Sequence, residues 1–167
     1  MAENIEKNEY EDDYADEEDT QKDMYLTFHL GSEDYGIPIA YVTEIIGIQK
    51  ITEVPDMPEF VKGVINLRGK VIPVIDLRSR FAMELLSYGD RTCIIVVNIN
   101  DMAIGLVVDK VTEVANIPED RVEPPPSILK NSLSKYIQGI GKLDDRVKIL
   151  LDMNKLLLNG ELTQIDR

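Results

Sequence analysis

The side chains that most often do chemistry are few in this chain and poorly spaced for it. One histidine and one cysteine are present, so no His/Cys zinc site can be assembled within it. Cys93 opens the apolar run Cys93-Ile94-Ile95-Val96-Val97, with no histidine near it in sequence. It reads as a small packed hydrophobe rather than a nucleophile. His29 alternates out of phase with Leu26, Phe28 and Leu30, which reads as a solvated histidine. Ser127-Ile128-Leu129-Lys130 fits a Ser-x-x-Lys pattern, but the other elements of that site are missing. Gly139-Ile140-Gly141 lacks the third glycine of a dinucleotide loop, and no phosphate-cradling Gly-x-x-x-x-Gly-Lys-Ser/Thr stretch occurs. The neighbouring carboxylates Asp144-Asp145 and Asp12-Asp13 serve turn geometry and solubility. No enzyme, metal or cofactor is expected. Two charges stand out instead. Glu44 and Arg68 are single charges in otherwise apolar segments. They suit a salt bridge that fixes the fold, an exposed recognition role, or both at once.

The elements that must position these residues are short and numerous. Tyr25 to Leu30 alternates as a half-buried strand, Gly31 to Asp34 reads as a turn, and Tyr35 to Ile39 returns, with Pro38 at an edge or bend. One helical turn is expected over Ala40–Thr43, then a strand over Glu44–Ile51. Gly63 to Leu67 and Lys70 to Ile75 flank Arg68-Gly69 as a hairpin, and Gly69 supplies a positive φ. Asp76 caps a short helix, Leu77 to Phe81. The second half gives strands over Cys93–Val97, Met102–Val108 and Val114–Ile117, then the proline linker Pro124 to Pro126. A hairpin over Ile137–Leu143 and Val147–Leu151 follows, and Asp152 caps a helix from Met153 to Leu158.

Of the 167 residues, 44% are hydrophobic and 29% charged, an ordinary globular balance. No apolar run approaches the ~18 residues of a membrane helix, and the acidic N-terminus is no signal peptide. A single cysteine forms no internal disulfide, which fits a reducing cytoplasm. The net charge of -13 and the absence of tryptophan argue against nucleic acid as a partner. Residues 1–23 carry 11 acids against two bases, a net of -9, and read as an acidic, solubilising disordered tail.

The most informative pattern is an internal repeat. At an offset of 69, Gly36–Ile45 lies on Gly105–Val114, with four of ten positions identical. At an offset of 76, Gly63–Leu77 lies on Gly139–Met153, with Gly63/Gly139, Leu67/Leu143, Val71/Val147 and Asp76/Asp152 identical. The chain therefore holds two copies of a unit of about 65–75 residues. Five short strands per copy must curl to bury a face, which predicts two small barrels with a cleft between them. The expected division is tail 1–23, first barrel half 24–90, second barrel half 91–160 and tail 161–167.

Phe60 to Arg78, with its Asn66-Leu67-Arg68-Gly69 hairpin, Pro73 and Asp76-Leu77, closely resembles the CheW family of chemotaxis coupling proteins. So do Tyr35-Gly36-Ile37, Val42-Thr43-Glu44-Ile45 and Val107-Val108-Asp109, and the likeness runs over about residues 24–160. The resemblance implies a mainly β fold of two five-stranded Src-homology-3-like barrels with short helices. It implies a non-enzymatic adaptor that couples the cytoplasmic tips of chemoreceptors to the regulatory domain of the histidine kinase CheA. The chain would be cytoplasmic and held at membrane receptor arrays through these partners. Carried over position by position, Val42, Gly63, Cys93, Gly105 and Val114 fall around the receptor groove between the barrels, with Glu44 and Arg68 as the charged pair. Cys93 departs from the aliphatic residue expected there. A detached kinase regulatory module is a competing reading, but the chain carries no receiver or kinase segment. A double-barrel single-strand nucleic-acid binder would need a basic groove and stacking aromatics.

Overall fold

Local turn chemistry sets the hairpins. Strands β4 (Val61–Leu67) and β5 (Lys70–Asp76) are joined through Arg68 and Gly69, both at positive φ, +52° and +84°. That is the backbone a two-residue turn between twisted strands requires. The Asn66 Oδ1 accepts from the Gly69 N–H at 2.9 Å and holds the turn. The computed structural model describes residues 21–126 and 134–157. Nearly all of the expected acidic tail, the Ser127–Lys130 pattern and the 161–167 tail lie outside them.

The remaining strands are β1 (Met24–Leu30), β2 (Glu33–Pro38), β3 (Val42–Gly47), β6 (Cys93–Ile99), β7 (Met102–Val108), β8 (Lys110–Asn116), β9 (Val122–Glu123), β10 (Ile137–Leu143) and β11 (Arg146–Leu151). Helix α1 spans Leu77–Arg80 and α2 spans Met153–Leu157. Asp76 caps α1 by accepting from the N–H groups of Arg78 and Ser79, and Asp152 accepts from Lys155 N–H in α2. Several boundaries differ from the sequence expectation. Asp34 belongs to β2, and the helical turn is a 3₁₀ turn at Ile39–Tyr41. β3 ends at Gly47, because Ile48 and Ile51 reach the core from a loop. β8 begins at Lys110, four residues before the expected start, since its first half is polar. Pro38 terminates β2, which is an internal strand.

The fold is mainly β, with two sheets. One has the order β8-β1-β2-β11-β10-β9 and the other β3-β6-β7-β5-β4. The division of the chain at residue 90 is not the division of the sheets. The six-stranded sheet combines β1 and β2 with β8 to β11, and the five-stranded sheet combines β3 to β5 with β6 and β7. The repeat itself is fully present. β1, β2 and β3 map onto β6, β7 and β8 at an offset of 69, and β4, β5 and α1 map onto β10, β11 and α2 at 76. Each copy sends its third strand to the other copy's first two, so the copies are reciprocally exchanged. The pairing repeats in detail. Parallel pairs Val74↔Gly105 and Leu150↔Gly36 are equivalent, as are the bulges at Thr43 and Thr112.

Both sheets curl until their ends meet. Glu44 on edge strand β3 touches Arg68 beside edge strand β4, and a Cβ on Gly141 of β10 would lie 3.0 Å from Ile117, just past β8. The largest hydrophobic cluster draws on both sheets and both helices, including Phe28, Ile37, Ile75, Leu106, Leu151 and Leu156. Along it run the ring contacts Phe28–Tyr35, Tyr35–Phe81 and Phe81–Tyr136 at 5.8–5.9 Å. The Arg80 guanidinium lies 4.1 Å over Phe60 and 4.8 Å over Tyr136, and its Nη2 donates to the Leu156 carbonyl. At about 25 cal/mol per Å² of apolar area, this seam is what joins the two sheets. Each sheet also has a private cluster, Ile65, Ile72, Val74, Ile94, Val96 and Val107 in one, and Tyr25, Ala115, Ile117 and Leu150 in the other.

Candidate functional site

The two isolated charges meet. Arg68 Nη2 donates to Glu44 Oε2 at 2.5 Å, with Arg68 mostly exposed and Glu44 half covered. The carboxylate raises the guanidinium pKa above its ordinary value. The pair stands over a hollow of about 350 Å³ lined by Leu67, Ile72, Val96 and Ala103, with Lys70, Thr43 and Asn98 around it. β3 brings Glu44 and Thr43, the β4–β5 turn brings Arg68 and Lys70, and the β6–β7 hairpin brings Val96, Asn98 and Ala103. Thr43 sits at the β3 bulge and its hydroxyl donates to the Val96 carbonyl at 3.0 Å. The hollow thus has an apolar floor, a polar rim with one oriented ion pair, and the edge strands β3 and β4 beside it. That arrangement can take an apolar side chain carried on an extended segment.

The repeat places a twin hollow on the six-stranded sheet, with different contents. Leu67 and Glu44 recur as Leu143 and Glu113, but Arg68 becomes Asp144, Ile72 becomes Lys148, Ala103 becomes Asp34 and Asn98 becomes His29. Lys148 Nζ, 3% exposed, donates to Asp34 Oδ2 at 2.8 Å, and His29 Nδ1 lies 2.5 Å from Asp34 Oδ1. His29 is therefore partly covered and in contact with Asp34, and not simply a solvated side chain. It points toward Asp34, its direct cross-strand neighbour. Burial pushes the Asp34 carboxyl up, but Lys148, His29 and Arg146 outweigh it and hold its pKa below the usual range. Charge fills the space that apolar side chains line on the other sheet.

The groove residues implied by the resemblance occupy varied positions. Val42, half-buried at the start of β3, packs against the shared seam, as does Cys93 at the start of β6. Burial raises the Cys93 thiol pKa, so the thiol form predominates. Val114 is 48% exposed on the edge strand β8. Gly105 is buried in β7, where a Cβ would lie 2.8 Å from Ile94. Gly63 follows the β4 bulge at Lys62, with φ +153°, and a Cβ there would lie 2.2 Å from the Thr52 carbonyl. That close approach lets Thr52 and Val64 exchange backbone hydrogen bonds of 2.9 Å. Of the seven positions, a direct side-chain contact is found between Glu44 and Arg68.

Besides Leu85 and Leu86 in the loop between the copies, three further exposed apolar positions lie on the sheets and carry no signal of their own in the sequence. Ile45 is 46% exposed and is the repeat mate of Val114. Val71 and Val147, at 64% and 51%, are mates of each other. The repeat offset carries this signal, since an exposed apolar residue kept in both copies is not a packing accident. A further hollow, of about 430 Å³, adjoins the loop between the copies. There Arg78 donates to both Asp109 oxygens and to the Glu84 carbonyl, Asp109 accepts from Gly31 N–H, and Tyr88 donates to Asp76. Burial pushes Asp109 up while Arg78 and the Gly31 N–H hold it below its usual range. Burial and the Asp76 carboxylate raise the Tyr88 phenol. These groups are occupied with one another and tie the loop down. No group of three or more metal-ligating side chains occurs among the described residues. No helix among them is long and apolar enough to cross a membrane.

Two curled sheets on one seam, an oriented ion pair over a surface hollow and the exposed apolar residues Ile45 and Val114 on the edge strands define a docking scaffold. The profile of the CheW-like domain matches residues 24–161. The chemotaxis protein CheW of Klebsiella aerogenes is 40% identical over 142 residues, 85% of this chain and 86% of that protein. The CheW of Treponema pallidum is 33% identical over 144 residues, 84% of this chain and 85% of that protein. The crystal structure of the scaffolding protein CheW from Thermoanaerobacter tengcongensis superposes with a TM-score of 0.76 at 38% identity, covering 83% of this chain and 94% of that one. The chain belongs to the CheW-like family and is a coupling adaptor of chemotaxis signalling.

Proposed function

We propose that this chain is a non-enzymatic adaptor that joins the cytoplasmic tips of chemoreceptors to the regulatory domain of the histidine kinase CheA. It works in the cytoplasm and reaches membrane receptor arrays through these partners. The observation that carries this reading is the Glu44–Arg68 pair above a hollow of mixed lining, with Leu67 and Ala103 among its apolar residues, at the edges of the five-stranded sheet. The kinase domain, itself expected to be a pair of small barrels, docks there edge to edge, with one apolar side chain entering the hollow. The equivalent place on the six-stranded sheet, filled by Lys148, Asp34 and His29, is the poorer host, because an entering apolar group would have to displace a buried ion pair and leave its charges unpaired. The receptor tip lies along the groove marked by Val42, Cys93 and Val114, while Gly63 and Gly105 act through the backbone positions they permit.

Coupling follows from geometry. Two partners held on separate surfaces of one rigid body are raised in effective concentration. A receptor then shifts the kinase equilibrium only as far as its contacts differ between signalling states. The test is kinase phosphorylation in receptor-containing membranes reconstituted with this protein. Arg68→Ala and Glu44→Ala are each expected to lose most receptor control while keeping the wild-type fold by circular dichroism. Full receptor control in both folded variants would contradict the assignment.

A further inference from the structure

Neither copy of the repeat contains a complete sheet. Every ladder that closes the sheets, β1 with β8, β2 with β11, β3 with β6 and β5 with β7, joins a residue before 81 to one after 92. The seam is built the same way, with Phe28, Ile37 and Ile75 from the first copy against Ile95, Leu106 and Leu151 from the second. The Lys148–Asp34 and Arg78–Asp109 ion pairs also cross between copies.

The covalent link between the copies is slight by comparison. Tyr88 is tied to the first copy through Asp76, at 2.8 Å, and β6 begins at Cys93. Only Gly89 to Thr92 lies between, an exposed turn at Asp90-Arg91. It is closed by Gly89 N–H donating to Thr92 Oγ1 at 2.9 Å and by Thr92 N–H donating to the Gly89 carbonyl at 3.3 Å. The contacts between copies do not depend on whether one chain or two supply them. If the turn straightens, the second copy of one molecule can complete the first copy of another with every ladder and seam contact kept.

We propose that this chain exchanges its repeats with a second copy of itself, with Gly89–Thr92 as the hinge. The product is a dimer of two complete bodies, each made of one molecule's first repeat and the other's second. Each body keeps its own Glu44–Arg68 hollow, so the exchanged dimer is a bivalent scaffold, and a partner array engages its second site intramolecularly. The reversed turn favours the closed monomer, and loss of the turn favours exchange.

The test is deletion of Asp90 and Arg91 from the full chain, followed by light scattering and circular dichroism. The expected product has twice the monomer mass at every concentration and an unchanged β spectrum. A folded monomer would overturn the proposal. A second measurement decides should the deletion misfold. Full-length Ile75→Asp disables the first repeat and full-length Leu106→Asp the second, at two fully buried residues that pair across the copies. Refolded together, they are expected to regain about half of the wild-type unfolding amplitude, because exchange leaves one intact body in two. A mixture no more folded than the separate chains would overturn the exchange.

Discussion

The five- and six-stranded sheets share one backbone plan and differ in what fills it. At equivalent positions the first has Ile72, Ala103, Val96 and Asn98, and the second has Lys148, Asp34, Thr27 and His29. The private core of the first is six buried aliphatic residues, whereas the second is smaller and closes with polar contacts. Thr27 Oγ1 lies 2.6 Å from Thr112 Oγ1 and donates to the Glu113 carbonyl, and Lys148 is buried on Asp34. A duplicated fold can thus keep the hollow of one sheet open while the equivalent place on the other is plugged by charge. Surface role is divided without any change of topology.

The comparison breaks most sharply at the plug. Lys148→Ala leaves Asp34 buried with a lost partner and is expected to cost about 3–5 kcal/mol in urea unfolding. The double change Lys148→Ile with Asp34→Ala, which grafts the five-stranded lining onto the twin, is expected to lie within about 1 kcal/mol of wild type. If the two variants lose equal stability, the plug is not an ion-pair device. Next come the glycines that follow the bulges. Gly63→Ala is expected to cost about 3 kcal/mol, because its φ is strained for a side chain and Thr52 blocks the Cβ. Gly139→Ala is expected to cost about half of that, since its nearest obstruction is a Val122 methyl group at 2.6 Å. Thermal melts of the two variants side by side give the ratio.

Acid sharpens the contrast further. Asp34 and Asp109 have folded pKa values held below the ordinary 3.8. The unfolded chain therefore takes up protons first as pH falls. The stability the two carboxylates contribute is complete above about pH 5 and drains away as pH drops through their folded values. Urea midpoints between pH 6 and pH 3 should fall steeply for wild type and less steeply for the Lys148→Ile, Asp34→Ala double variant. The smallest stability effect belongs to the exposed pair. Glu44→Ala should leave the thermal midpoint close to wild type, while binding to the kinase domain drops at least tenfold, as an exposed pair adds little to folding.

Much of this was legible because turn and cap chemistry is local. Gly69 after Arg68, and Asp76 and Asp152 before their helices, act within three residues and were read directly. Glu44 and Arg68 stood out because an isolated charge in an apolar segment needs a partner. Partner choice between strands was not legible. Alternation marks a strand and its faces but not its neighbour, so the exchange of β3 and β8 between copies stayed hidden behind a correct repeat. The Lys148–Asp34 pair joins residues 114 apart in sequence, and no spacing rule reaches that far. The polar start of β8 concealed it because an edge strand needs no apolar alternation on its open side.

The most direct measurement is a calorimetric titration of the CheA regulatory domain into this protein and into two exposed single variants at twin positions, Arg68→Asp and Asp144→Arg. Saturable one-to-one binding that Arg68→Asp abolishes and Asp144→Arg leaves unchanged is the predicted result. Binding that survives Arg68→Asp would contradict the account, and binding lost in Asp144→Arg would move the kinase to the plugged sheet.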